Sequence, residues 1–140
     1  MKTLKSIVLG LALLVICGVA KANTTDDATS PNYAINTFVD AMTRGKLAGL
    51  DGVLDKSAEF NMLRGKTVLS FGKNDMLVFF KENKNIEQSC TTSTSLVRSD
   101  DKVAIVKVDM NFDGFVRSNY VTIANTGKGW KITNVYSVFK

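Results

Sequence analysis

Residues 103–139 constrain the fold more than any other stretch of the chain. Ala104, Val106, Val108, Met110 and Phe112 alternate with Lys107, Asp109 and Asn111, the period of two expected of a half-buried strand. Asp113-Gly114 follows, a dipeptide that tolerates the positive φ angles of a tight hairpin. Phe115 to Ala124 reads as the return strand, Asn125 to Gly129 as the next turn, and Trp130 to Phe139 as the last strand. Such a meander buries one face only if other elements cover it.

The covering elements are legible upstream. Ser30 is placed to cap a helix and Pro31 occupies its first turn, where the missing N–H costs nothing. Ile35, Phe38, Val39 and Met42 recur at helical spacing, and Gly45 supplies a left-handed stop. A second helix is expected over Leu47–Leu54, a strand over Ser57–Arg64, and a turn into another strand over Gly65–Phe71. Asn74 is the expected cap of a third helix whose apolar residues are Met76, Leu77, Phe79 and Phe80. Ile86–Val97 then reads as a long strand and Arg98–Lys102 as a charged turn. Helices segregated from a final antiparallel meander define an α+β class.

Residues 1–22 stand apart as an expected secretory signal peptide. Lys2 and Lys5 precede an apolar run from Ile7 to Val19, and Ala20-Lys21-Ala22 places small residues where a signal peptidase reads. As a helix that run spans about 20 Å, short of the roughly 30 Å of a bilayer core. Cleavage before Asn23 is expected, with residues 23–30 as a flexible lead-in, residues 31–140 as the domain, and an exported location, periplasmic or extracellular. Lipidation at Cys17 is the alternative, disfavoured by the bulk of Ile16 before it. The net charge of +5 is carried largely by the leader: without Lys2, Lys5 and Lys21 the chain has 15 basic groups against 13 acidic ones, or +2. A surface so nearly balanced points away from nucleic acid as a partner, and after cleavage no membrane partner is expected. Cys90 then stands without a second cysteine and reads as a small buried hydrophobe.

With these elements in order, the chain resembles the nuclear transport factor 2-like superfamily, in particular its small exported bacterial members of the SnoaL-like and lumazine-binding-like type. Phe38 to Met42 through Gly45 to Leu50 is similar to the family's first helix, glycine turn and second helix. Leu54 to Phe60 is similar to its entry into the first strand, and Gly127 to Tyr136 to its closing strand. The resemblance implies a cone: a strongly curved antiparallel sheet wrapped around the N-terminal helix, with a cavity at the open end. The fold hosts many activities, so it does not fix one. The steroid isomerases of the superfamily use a tyrosine on the first helix and a carboxylate on the first strand. Aligned on Gly45, those positions hold Val39 and Met62 or Leu63, none of which transfers a proton. The dehydratases use a histidine with an aspartate, and this sequence has no histidine.

No catalytic constellation emerges, and the reading leans away from an enzyme. Glu59 and Asp109 are the candidate bases. Asp109, Asn111, Arg117 and Asn119 share the hairpin around Asp113-Gly114, either as a cross-strand ion pair on the convex face or as a polar cluster at a cavity mouth. Thr92, within the hydroxyl-rich run from Cys90 to Ser95, is a candidate for a cavity wall, against plain β-propensity in a half-exposed sheet. Tyr33, Phe38, Met42, Phe60, Phe80 and Trp130 complete the candidate pocket, with core packing as the competing role. Neither cofactor nor metal site is expected, since histidine is missing and cysteine nearly so. The expectation is a non-catalytic module that binds a small apolar or amphipathic molecule or self-associates as a homodimer through its sheet; the alternative is a cofactor-free lyase or isomerase using Glu59 or Asp109.

Overall fold

The computed structural model describes residues 28–140, so the expectations for residues 1–22 and for most of the lead-in lie outside the described residues. Helix α1 spans Pro31–Arg44. The Ser30 side chain accepts from the Tyr33 N–H at 3.1 Å, and Gly45 ends the helix at φ 64°. One short turn, α2 (Leu50–Val53), leads into β1 (Leu54–Arg64) and β2 (Thr67–Gly72). Helix α3 (Lys73–Glu82) precedes β3 (Thr91–Ser99), β4 (Val103–Phe112), β5 (Phe115–Asn125) and β6 (Trp130–Phe139). The architecture is α+β, as the alternating pattern and the capped helices require.

The six strands form one curved sheet in the order β2-β1-β6-β5-β4-β3. All neighbours are antiparallel except β1 and β6, which run parallel with Phe60 opposite Val135. Helix α1 lays Ala34, Ile35, Phe38 and Ala41 against the inner face, where Val106, Val108, Val121, Ile123, Ile132 and Val135 are fully buried. Each of these strand residues alternates with a more exposed one, so a single face carries the apolar contribution to stability.

Three local expectations are corrected. The N-cap of α3 is Gly72, whose N–H reaches the Asp75 carboxylate at 3.4 Å, and Asn74 lies inside the helix. The second helix is one turn, because β1 pairing already begins at Leu54. Residues 86–90 are not strand. The Asn85 and Gln88 N–H groups donate to Gly45 and Thr43 carbonyls at the end of α1, at 3.0 and 2.7 Å. These two donors thus satisfy an orphaned helix terminus rather than a ladder, and the Ile86 and Cys90 N–H groups make local turn bonds to Asn83 and Gln88. Strand β3 is consequently an edge strand with a bulge between Leu96 and Arg98.

Candidate functional site

The inner face departs from apolar chemistry at its open end. Strand β5 places Arg117 and Asn119 inward, because the two-residue turn at 113–114 sets Phe112 against Phe115 and therefore Met110 against Arg117. Strand β6 places Ser137 opposite Asn119. The three side chains form one network. Arg117 Nε donates to Asn119 Oδ1 at 3.1 Å, Arg117 Nη2 donates to Ser137 Oγ at 3.3 Å, and Ser137 Oγ donates to Asn119 Oδ1 at 2.6 Å. Asn119 is itself fixed by donating from Nδ2 to the Val108 carbonyl at 3.1 Å. The Phe139 ring lies 5.5 Å from the guanidinium carbon.

Every acceptor in this network is neutral. Arg117 takes part in none of the ion pairs among the described residues, and burial pushes its pKa down to about 10. It remains protonated at neutral pH, so the inner face holds a positive charge with no carboxylate against it.

Above this arginine opens a pocket of about 640 Å³. Met42 of α1, Phe60 and Met62 of β1, Leu69 and Phe71 of β2 and Phe79 of α3 supply its apolar walls, with Arg117 and Ser137 also on its surface. A smaller cavity of about 120 Å³ adjoins, sharing Met42, Phe79 and Arg117 and bounded also by Phe80 and Met110. The outer rim exposes Leu69, Phe71, Val78 and Phe79. Asp75 and Arg64 also line the larger pocket, and both side chains are solvent-exposed.

Of the residues singled out in the sequence, the pocket gathers Met42, Phe60 and Arg117. Phe38 is fully buried beneath them in the core. Phe80 is buried, packs edge-to-face on Phe60 at 6.5 Å, and reaches the smaller cavity. Tyr33 is half-buried against the core, with its hydroxyl close to Gly49. Thr92 is exposed on the edge strand. Trp130 is half-buried in a separate groove with Thr29, Ser30 and Pro31. Cys90 is half-buried, and burial pushes its thiol pKa up.

The two candidate bases lie elsewhere. Glu59 is exposed, on the side of β1 opposite to Ala58 and Phe60. Asp109 is on the outer face, paired with Ser118, whose hydroxyl donates to it at 2.6 Å, and with Lys107 at 3.6 Å. The expected polar cluster is therefore split: Asp109 and Arg117 fall on opposite faces, since the odd positions of β4 oppose the even positions of β5. Sequence reasoning did not place Met62, Leu69, Phe71 and Phe79 in the pocket. Met62 was readable as the next inward position after Phe60; the β2 and α3 residues are exposed apolar side chains whose role depends on tertiary placement. Among the described residues, no cluster of His, Cys, Asp or Glu could hold a metal, and no helix is long and apolar enough to cross a membrane.

A helix cradled by a curved six-stranded sheet, open at one end onto a pocket, defines the nuclear transport factor 2-like fold. The solved structures agree. A protein of this fold with unknown function from Silicibacter pomeroyi superposes with a TM-score of 0.61 at 18% identity, covering 77% of this chain and 89% of that one. A protein of unknown function from Pectobacterium atrosepticum gives 0.61 at 15% identity, covering 84% and 94%. A cystatin-like fold protein from Burkholderia xenovorans gives 0.59 at 15% identity, with the same coverage. Within that fold, residues 27–137 match the family described as "Putative lumazine-binding", and the chain belongs to it. Among curated proteins, none matches the sequence.

Proposed function

We propose that this protein is an exported, non-catalytic module that holds one small apolar or amphipathic molecule in the pocket above Arg117. The observation that carries the reading is the pocket itself. Its volume of about 640 Å³ falls within the roughly 300–1,000 Å³ of small-molecule sites, and its walls combine apolar and aromatic side chains with a few fixed polar groups. Family membership is consistent with a small ligand, and export rests on the leader pattern of residues 1–22.

The lyase or isomerase alternative gains no support from the placement of its bases, since Glu59 and Asp109 both lie outside the pocket. The carboxylate on the lining, Asp75, is exposed and receives the Gly72 N–H at the start of α3. Self-association through the outer face of the sheet is a separate proposal, tested by sedimentation equilibrium.

Titration with N-phenyl-naphthylamine, an uncharged dye that brightens in apolar surroundings, tests the binding function. Saturable brightening at one site per chain supports it. A folded protein that leaves the dye dark defeats it.

A further inference from the structure

The pocket joins two features that are unusual together: apolar walls and a guanidinium without a counter-charge. An arginine kept for structure is ordinarily satisfied by a carboxylate or left in solvent, because an isolated buried charge is costly. Here the Nε and Nη2 donors are spent on Asn119 and Ser137, both neutral. Nη1 has no acceptor among the described residues. Since no fully buried side-chain polar atom among them lacks a partner, Nη1 is open to the cavity. The bonds at Nε and Nη2 fix the plane of the guanidinium. Its terminal edge, Nη1 with the second hydrogen of Nη2, is left for another molecule, and that edge matches two oxygens of an oxyanion.

Building on the pocket reading, we infer that the pocket is selective for lipophilic monoanions: the terminal edge of Arg117 receives a carboxylate or sulfonate group, and an apolar body lies among Met42, Met62, Leu69 and Phe71. Asn119 and Ser137 are positioning residues, holding the arginine with neutral acceptors so that its charge remains for the ligand. The neighbouring charges do not cancel this one. Arg64 has the same sign, and Asp75 makes no ion pair with Arg117. In the low dielectric of such walls a single opposite charge is attracted far more strongly than in water.

Two probes with one aromatic skeleton test the inference: N-phenyl-naphthylamine, which is neutral, and its sulfonated relative anilinonaphthalene sulfonate. The folded wild type is expected to bind the sulfonate about tenfold or more tightly than the neutral dye. Arg117→Met should bring that ratio to about one. Asn119→Asp, which keeps the arginine but sets a carboxylate against Nε, should do the same, an effect that an arginine serving structure alone would not show. Circular dichroism establishes that each variant is folded. Equal affinities in the wild type, or a preference that survives both substitutions, overturn the inference while the pocket reading stands. Binding of neither probe removes both. Displacement of the sulfonate by naphthoate or by dodecanoate shows whether the body accommodated is ring or chain, and failure of both overturns the assignment of carboxylates as ligands.

Discussion

Asn119 is the residue on which Arg117 rests: its Oδ1 accepts from both the arginine and Ser137, and its Nδ2 ties the whole network to the backbone of β4. The network satisfies hydrogen bonds without supplying a negative charge. Holding a cation in that setting destabilises the fold, and its pH dependence has a definite sign.

In the folded protein Arg117 loses its proton near pH 10, below its ordinary range. Below that pH both states are protonated and the penalty is fully present, roughly 3 kcal/mol as an order of magnitude. As pH rises through 10, the folded state releases a proton that the unfolded chain still holds, so this group's contribution turns toward stability. Arg117→Met should therefore be more stable than the wild type at pH 7, by about 1–3 kcal/mol. The difference should shrink above pH 10. Urea unfolding of both proteins across pH 7–11 measures it, and a destabilised variant would mean that the arginine contributes more by its hydrogen bonds than it costs by its charge.

Met42 stands between the two cavities. A larger side chain there should enter existing space, so Met42→Trp should change stability by less than about 1 kcal/mol. In a close-packed core the same change typically costs roughly 1–3 kcal/mol. Dye affinity should fall about tenfold. Thermal melting and dye titration report the two effects separately.

Gly45 has φ 64°, and a Cβ there would lie 2.4 Å from the Asn85 nitrogen and 2.6 Å from the Asn83 oxygen. Both atoms are backbone and cannot swing aside. Gly45→Ala should cost about 3 kcal/mol or more in urea unfolding, combining left-handed strain with the loss of the helix-to-loop contact.

Trp130 is half-buried, so Trp130→Ala should cost roughly 2 kcal/mol, below the 3–5 kcal/mol of a fully buried tryptophan. Its groove is separate from the pocket, and probe binding should be unchanged.

The proposal that residues 1–22 are a cleaved leader predicts that the protein isolated from a cell envelope begins at Asn23. N-terminal sequencing decides it; an intact Met1 or a lipid on Cys17 would reject the processing scheme.

The sequence displayed what is local. Period-two alternation over 103–112, the Asp113-Gly114 turn and the Ser30 and Gly45 caps are each encoded by adjacent residues, and each is present. Long-range pairings were not displayed. Nothing in 85–90 signals that the Asn85 and Gln88 N–H groups serve the end of a helix some forty residues earlier. The inward turn of Arg117 was encoded, since a two-residue loop fixes which positions face each other, but it emerges only when the register is counted across the turn. The β2 and α3 side of the pocket was hidden, because exposed apolar residues such as Phe71 and Val78 give no periodic signature of a shared wall.

The parallel pairing of β1 with β6 has a consequence in time. Asn61 and Asn134, bonded side chain to side chain at 3.0 Å across this pair, are 73 residues apart. Strand β6, one of the two central strands of the sheet, follows the other five in the chain. Until it emerges, β1 and β2 have no partner on the other half of the sheet, and loop closure over such a span slows assembly. The pocket inherits this order: Phe60 and Met62 are made early, Ser137 within the final strand. The two sides of the binding site meet only once β6 docks beside β1, so a nascent chain has no site to fill until that strand has emerged.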